Sequence, residues 1–223
     1  MKGRTMQLSE KYRPHTWPDL TGLDRIKREI EALRAYSGSL SGQAYWISGR
    51  SGQGKTCIAR LVAGETADQW HTVELAGRKL TTSTLDDLRA QWRFYGMGEK
   101  QGWALIVNEA HGMSKPVIED LLDFLEDIPA HCLVVFTTTT EGAAAFEAQL
   151  DAQPLIDRCN VLQIRAKEPG LALAFAQRAQ DIARAEHLDG RPIAAYQQLA
   201  KDFNLSLRRM LGEIAKGRMA QGV

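Results

Sequence analysis

The sequence predicts an α/β protein: a three-layer core of helix, sheet and helix around a mostly parallel five-stranded sheet, followed by a small all-helical domain. Up to about residue 164, short apolar runs alternate with stretches of helical spacing, which is typical of parallel strands joined by crossover helices. Beyond that point only helical spacing remains. The 223 residues, 44% of them hydrophobic, suffice for two compact units, and we expect a core domain over 1–166 and a helical domain over 167–223.

The first half of the chain is predicted to contain three helices and two strands. After a polar, extended start, apolar residues at helical spacing predict a helix over 23–36, which the run SGSLSGQ ends. An apolar run predicts the first core strand at 44–48, and a helix begins at Lys55. The run HTVEL predicts a second strand at 71–75. A Thr/Ser cluster suited to capping predicts a helix over about 83–94.

The second half supplies three more strands and then helices alone. The run WALIVN predicts a strand at 103–108 that is buried on both faces. A helix over 115–126 follows, with an apolar stripe on one side and acidic residues on the other. The runs CLVVFTTTT and NVLQI predict strands at 132–140 and 160–164. The remaining helices are predicted over 170–186, 193–201 and 207–219.

Composition excludes several classes of protein. Cys57, Cys132 and Cys159 are widely spaced and lack a CxxC pair, so the sequence predicts neither a disulfide framework nor a zinc site. No stretch approaches the ~20 apolar residues of a membrane span, and no signal segment is evident, so we expect a cytoplasmic protein without membrane contact. The net charge of +1 argues against a surface that grips nucleic acid everywhere. Residues 99–151 are acidic and both flanks basic, which fits either a subunit interface or solvated faces.

A glycine-rich loop carries the strongest motif of the chain. The run GRSGQGKT, residues 49–56, satisfies G-x-x-x-x-G-K-[ST] between a predicted strand and a predicted helix. Its backbone N–H groups are suited to hold phosphate oxygens, Lys55 to reach the β and γ phosphates, and Thr56 to ligate Mg²⁺. The sequence therefore predicts bound ATP and Mg²⁺. The residues predicted to contact the nucleotide here are Gly49, Ser51, Gly52, Gln53, Gly54, Lys55, Thr56 and Cys57.

The run LIVNEAH occupies the place of the second nucleotide motif, an apolar strand that ends in acidic residues. Proteins with this phosphate loop usually carry Asp-Glu here, with the Asp on Mg²⁺ through water and the Glu on the attacking water. This chain has Asn108 and Glu109. Because an amide brings no negative charge to a divalent ion, we expect Asn108 to hold the metal-bound water weakly and Glu109 to act as the base.

With these motifs in place, the chain resembles the AAA+ ATPases, a group of P-loop NTPases, and among them the clamp-loader small subunits of replication factor C. The run EKYRPHTWPDLTG (10–22) looks like the segment that those subunits place beside the adenine. LIDRC (155–159) is similar to their Ser-Arg-Cys motif, and SLRRML (206–211) is similar to the motif of their helical lid. These stretches occur in the family's order and extend over nearly the whole chain.

The resemblance implies roles for individual residues. Arg158 would be the arginine finger, a catalytic residue inserted into the site of a neighbouring subunit, beside Lys55 and Glu109. Arg208 would sense the γ-phosphate from the lid. A sensor on the strand should lie within 137–140, with Thr139 preferred, and the base pocket would be lined by Tyr12 and Arg13.

The chain also departs from the family's pattern. Asn108 replaces the metal Asp, and Ala76 lies where a polar residue usually restrains the catalytic Glu until DNA binds. The helix after Glu109 is acidic, where clamp-loader subunits are commonly basic. No collar helices follow the lid motif, so we expect assembly through the AAA+ domains, through another subunit or on DNA.

If a ring of subunits encloses DNA, the predicted phosphate contacts are Arg78, Lys79 and Arg89. Ordinary solvated side chains explain these cations equally well. The partners expected from the resemblance are other AAA+ subunits, DNA, and a sliding clamp or another DNA-bound protein.

Three functions remain open at this point. The first is an oligomeric ATPase that couples hydrolysis at subunit interfaces to the remodelling of DNA or of a DNA-bound protein, as clamp loaders do. The second is an ATP-binding assembly or recruitment module that hydrolyses slowly, which Asn108 and Ala76 favour. The third is the same motor in another task, such as transposition, helicase loading or protein unfolding, among which a fold does not decide.

Overall fold

The structure is a computed structural model that describes residues 6–150, 152–165, 168 and 170–220. Contacts divide it into two compact units. One unit comprises the described parts of Met1–Asp24, Arg50–Cys57 and Ile164–Val223, and the other comprises Arg25–Gly49 and Ile58–Gln163. The domain boundary expected between residues 166 and 167 falls on residues outside the described ones and stays a prediction.

A parallel sheet forms the centre of the second unit. Within the described residues it has five strands in the order β2-β3-β4-β1-β5, and every neighbouring pair is parallel. The predicted α/β fold class is confirmed. Because the strands are parallel, their carboxyl ends lie at one edge of the sheet, where side chains that follow different strands meet. The strands are β1 Gln43–Ser48, β2 Thr72–Ala76, β3 Trp103–Asn108, β4 Cys132–Thr138 and β5 Cys159–Gln163.

Helices connect the strands and follow the sheet. Through the described residues they are α1 Leu8–Lys11, α2 Asp24–Ser37, α3 Lys55–Thr66, α4 Thr82–Gln91, α5 Lys115–Glu126, α6 Thr140–Leu150, α7 Gln153–Asp157, α8 Leu171–Ala185, α9 Ile193–Asp202 and α10 Leu207–Ala215. Short 3₁₀ helices occur at Gln69–His71, Gly77–Lys79 and Ala110–Gly112.

Three helices were not predicted from the sequence, namely α1, α6 and α7. The predicted strand at 132–140 is too long, because β4 ends at Thr138 and α6 begins at Thr140. The Thr139 hydroxyl accepts a hydrogen bond of 2.9 Å from the Gly142 backbone N–H and so caps α6. The alanines that follow favour a helix over further strand.

Two predicted helices end earlier than expected. The helix predicted over 83–94 ends at Gln91, and Trp92 after it is buried in the core. The helix predicted to reach residue 219 ends at Ala215, and Gly217 adopts a φ of 85°, a backbone conformation common just beyond helix ends.

Both faces of the central strands are buried. On one face, alternate strand residues such as Trp46, Val107 and Phe136 pack with buried residues of α4 and α5 into one core. The intervening residues, such as Ile47 and Ile106, are buried as well. This double burial explains why β1, β3 and β4 are almost continuously apolar, whereas the edge strands β2 and β5 are only partly buried.

The helical part of the first unit has its own apolar residues. α8, α9 and α10 bury Phe175, Ile182, Tyr196, Leu199 and Met210. Tyr196 donates a hydrogen bond of 2.8 Å to Asp189, which orders the connection between α8 and α9. Across the described part of the chain, no helix is both long and apolar enough to cross a membrane.

Candidate functional site

The phosphate loop begins where β1 ends and passes directly into α3. Gly52 and Gly54 have φ values of 80° and 97°, in the region that side chains with a Cβ rarely adopt. Glycine at these two positions lets the chain curl so that successive N–H groups face one concavity. The predicted loop and its context are therefore present.

Two buried polar side chains make the loop suitable for an anion. Lys55 is only 6% exposed, and its Nζ donates a 3.0 Å hydrogen bond to the carbonyl of Arg50. Gln53 is 2% exposed; its Oε1 accepts from the Arg50 N–H at 2.8 Å, and its Nε2 has no partner among the described residues. A buried ammonium and a buried unpaired N–H donor at the start of a helix fit a phosphate ligand. The loop thus fits the predicted triphosphate.

The start of α10 lies against the phosphate loop within the same unit. A Cβ built on Gly52 would be 3.3 Å from the Cβ of Arg208 and 2.1 Å from the Oγ of Ser206. Ser206 precedes α10 and is 5% exposed, whereas the Arg208 side chain is exposed. Arg209 instead stacks on the Phe203 ring at 4.8 Å. Of the two arginines in SLRR, Arg208 is therefore the one placed beside the loop.

The N-terminal segment is bound to α8 by a small hydrogen-bonded network. The Tyr12 hydroxyl and the Lys11 ammonium donate to Oε1 of Glu186 at 2.6 and 2.5 Å. These bonds lower the pKa of Glu186 and raise the pKa values of Lys11 and Tyr12. Arg13 pairs with Glu10 at 2.5 Å. Tyr12 and Arg13 are thus engaged by the protein itself, and their role in a base pocket stays a prediction.

Asn108, the last residue of β3, is held between two neighbouring strands. Its Nδ2 donates to Oε1 of Glu74 on β2 at 2.8 Å, and its Oδ1 accepts from the Thr137 hydroxyl on β4 at 2.9 Å. Glu74 also accepts two hydrogen bonds from Arg60 of α3, at 2.7 and 3.0 Å. Sequence reasoning did not single out Glu74. The available signal was its position on β2, two residues before Ala76 and so on the same face of the strand.

Glu109 has a backbone conformation that side chains seldom adopt. Its φ of 53° and ψ of 52° are left-handed, which costs roughly 1–3 kcal/mol and is enriched at functional sites. Its carboxylate lies 3.5 Å from Nδ1 of His111, which also contacts the Thr138 hydroxyl at 3.0 Å. A Cβ on Gly77 would be 2.6 Å from the Glu109 carbonyl oxygen, so only glycine fits there. Sequence reasoning missed Gly77 also.

Thr139 was the preferred residue for the strand sensor. Its hydroxyl caps α6, whereas the hydroxyl that contacts Asn108 belongs to Thr137, which is 1% exposed. Thr137 lies within the predicted window of 137–140. The sensor role of Thr139 stays a prediction. Thr137 is the residue of this run whose hydroxyl donates to Asn108 at the end of β3.

Arg158 lies immediately after α7 and is oriented by its neighbours. Its Nε donates to Glu126 at the end of α5 at 3.2 Å, its Nη2 forms an ion pair with the same carboxylate, and its Nη1 donates to the Pro154 carbonyl at 2.9 Å. The side chain keeps 33% of its surface exposed. An exposed guanidinium held in a fixed direction is suited to contact a ligand that is bound to another chain.

The three cations predicted to contact DNA have different surroundings. Arg78 and Lys79 are exposed on the 3₁₀ helix that follows β2. Arg89 instead forms ion pairs with Asp120 and Asp86 at 2.6 and 3.0 Å, and these raise its pKa. It also lies over the Phe124 ring. Arg89 is therefore held by two carboxylates, whereas Arg78 and Lys79 are the more exposed of the three cations. The DNA contacts of all three stay a prediction.

No cluster of three or more His, Cys, Asp or Glu side chains that could hold a metal ion occurs in the part of the chain that the structure describes. Burial raises the pKa values of the Cys132 and Cys159 thiols to about 12. Both therefore stay protonated and unsuited to metal binding. Any Mg²⁺ would be held by single oxygen ligands together with the nucleotide phosphates, which is the usual mode of this ion.

The fold and the loop agree with a match to a known family. The family model of the ATPase family associated with various cellular activities (AAA) matches residues 45–163, which is more than half of the chain. The chain belongs to this family.

Two individual proteins are similar to this chain over most of its length. The DNA polymerase III subunits tau of Salmonella typhimurium (strain LT2) and Escherichia coli (strain K12) are each 27% identical over 232 residues, covering 92% of this chain. The match covers 33% of each relative, so this chain spans about a third of the length of these curated relatives.

Solved structures share the fold. The Holliday junction branch migration motor RuvB of Thermotoga maritima has a TM-score of 0.64 at 20% identity, over 93% of this chain and 65% of that one. A DNA polymerase III gamma subunit-related protein of the same organism has a TM-score of 0.51 at 11% identity, over 77% of this chain and 58% of that one. At such low identity these likenesses show the fold alone.

Proposed function

We propose that this chain is an oligomeric ATPase of the clamp-loader kind, which binds and hydrolyses ATP at interfaces between subunits and thereby remodels DNA or a DNA-bound protein. The observation that carries the proposal is the position of Arg208 beside Gly52, because it joins the helical part of the first unit to the loop that would hold the phosphates. A cation placed there can sense whether a γ-phosphate is present and change the position of α10 accordingly.

The roles of the nucleotide-binding residues follow from their chemistry. The loop N–H groups and the buried Lys55 would hold the phosphates, and the Thr56 hydroxyl oxygen would be a ligand of Mg²⁺. Mg²⁺, when bound, supplies positive charge to the β and γ phosphates. Glu109 orients the attacking water and accepts its proton, and His111 at 3.5 Å keeps that carboxylate in place.

Arg158 acts on the nucleotide of a neighbouring subunit. It is exposed and held by Glu126 and the Pro154 carbonyl, so it is preorganised for that contact. Proteins of the AAA family assemble into oligomers, in which such a contact between subunits is possible. A guanidinium that reaches the transferring phosphoryl group stabilises its charge and makes each site depend on two chains.

Three observations support a role on DNA. The relatives at 27% identity are DNA polymerase III subunits. Arg78 and Lys79 are exposed cations suited to sequence-independent phosphate contacts. They lie on the 3₁₀ helix whose Gly77 packs against the Glu109 carbonyl, so a ligand on those cations could affect the base. A sliding clamp is the protein partner that a clamp-loader function implies.

Phosphate release tests the proposal most simply. The native protein, with Mg²⁺ and ATP, should release phosphate faster than Lys55→Ala, and primed DNA should raise the rate further. Lys55→Ala removes the ammonium that holds the phosphates, so it measures the background in both conditions. If the native protein is no faster than Lys55→Ala with or without DNA, it is not an ATPase of this kind.

Asn108 supports a second candidate, an ATP-binding assembly or recruitment module that hydrolyses slowly. An amide contributes no charge toward Mg²⁺, so ATP could be bound and retained. In that case Mg²⁺ and ATP should promote assembly of the native protein but not of Lys55→Ala, while phosphate release stays at background. The two readouts together distinguish the module from the enzyme. The motor could also serve another DNA transaction, such as transposition or helicase loading, with the same ATP chemistry.

A further inference from the structure

Four side chains from four elements form one hydrogen-bonded chain at the end of β3. Arg60 donates to Glu74, Glu74 accepts from Nδ2 of Asn108, and Oδ1 of Asn108 accepts from Thr137. The two bonds of the amide are short, at 2.8 and 2.9 Å. Both lie within the unit that contains the sheet. The amide is therefore held at both ends.

The chemistry of the partners fixes which end of the amide faces which strand. A carboxylate can only accept hydrogen bonds, so the NH₂ group of Asn108 must face Glu74. The hydroxyl of Thr137 can then donate to the amide oxygen. The reverse orientation would direct the oxygen of Asn108 at the carboxylate of Glu74, and two acceptors would repel each other. Glu74 thus decides the orientation of Asn108.

We propose that Glu74 is a positioning residue, which keeps the oxygen of Asn108 rather than its NH₂ group available to the metal-bound water. The inference rests on the proposed function, in which Asn108 stands where the family usually has Asp. A carboxylate offers an oxygen whichever way it rotates, whereas an amide serves a cation only from its oxygen side. An asparagine at this position therefore needs an acceptor that fixes the orientation of its amide, and Glu74 is that acceptor. Outer residues that orient a metal ligand commonly change metal affinity strongly when they are removed.

The proposal makes the effect of Glu74 depend on residue 108. Beside Asn108, Glu74 is helpful because it accepts from the NH₂ group. Beside an aspartate, Glu74 would place a second carboxylate within hydrogen-bond distance, and two such groups disfavour each other's charge. Glu74→Ala should therefore weaken Mg²⁺ binding in the native background and strengthen it in the Asn108→Asp background. A residue with a merely structural role would not reverse the sign of its effect.

The experiment measures binding of a fluorescent ATP analogue as Mg²⁺ is varied. It uses the native protein, Glu74→Ala, Asn108→Asp and the double variant. We expect Glu74→Ala to raise the Mg²⁺ concentration for half-maximal binding by about 10-fold in the native background. The double variant should need less Mg²⁺ than Asn108→Asp alone. The matched control is Glu65→Ala, since Glu65 forms a comparable pair with Arg34 of α2.

Melting temperatures without nucleotide or metal test the contact independently of the proposed function. Asn108→Asp should lower the melting temperature by about 2–4 °C, and adding Glu74→Ala should recover most of that loss. A Glu74→Ala effect on Mg²⁺ of the same sign and size in both backgrounds, or no effect in either, would overturn the positioning role. If no variant binds nucleotide, the proposed function fails and the positioning role with it, while the melting temperatures still report whether the two side chains interact.

Discussion

The phosphate loop and the end of β3 are both short stretches that carry predicted chemistry, but they are built differently. In the loop, Gln53 and Lys55 each bond to the backbone of Arg50, three and five residues away. At the end of β3, the partners of Asn108 are Glu74 and Thr137, which lie 34 and 29 residues away in the sequence. The loop is a local structure, whereas the end of β3 depends on the sheet.

This difference determines what a substitution in each stretch would require. Positions in a local loop are constrained by backbone conformation, so Gly52 and Gly54 have few substitutes. A side chain whose partners come from other strands can change when those partners change with it. In the proposed site Asn108 stands where the family usually has an acidic residue, and Glu74 provides the acceptor that an amide needs. The departure at 108 is therefore consistent with an intact site.

Replacing Glu109, the proposed catalytic base, should distinguish most clearly between the role of the phosphate loop and the role of the end of β3. We expect Glu109→Gln to lower ATP turnover by about 10²- to 10⁴-fold, because the amide cannot accept the proton of the attacking water. ATP binding should stay close to native, since the phosphate loop is unchanged. The check pairs phosphate release with binding of a fluorescent ATP analogue, and Lys55→Ala serves as the contrasting variant that loses binding. Equal loss of binding in both variants would mean that the two regions do not have separate roles.

A methyl group on Gly77 should disturb only the end of β3. The added Cβ would meet the Glu109 carbonyl oxygen at 2.6 Å, so the backbone of the base must move. A shift of about 1 Å can lower the rate up to roughly 10²-fold, so we expect a 10- to 100-fold loss of turnover with little change in ATP binding. The matched control is Gly64→Ala in α3, where a Cβ meets nothing within 4 Å. Native turnover in Gly77→Ala would show that the position of the Glu109 backbone is not critical.

The sequence predicted those features whose cause is local. The central strands follow from continuous apolar runs such as WALIVN, and the phosphate loop follows from one motif. The start of α6 was not predicted, because a run of threonines favours a β-strand. Only the hydrogen bond that caps α6 at Thr139 marks where the strand ends and the helix begins. Glu74 and Gly77 were missed because their roles depend on how β2 is paired with β3. The pairing of Arg89 with Asp120 likewise depends on how α4 packs against α5.

The central claim is that ATP is hydrolysed at a site shared between two chains, and a mixing experiment tests it most directly. Lys55→Ala and Arg158→Ala should each have background turnover alone, since each lacks one half of every site. In a mixture, an Arg158→Ala chain supplies Lys55 and a Lys55→Ala neighbour supplies Arg158. With head-to-tail contacts about a quarter of the interfaces are then complete, and turnover should recover to a similar fraction of the native rate. Turnover that stays at background in the mixture, while the native protein is active, would contradict the shared site.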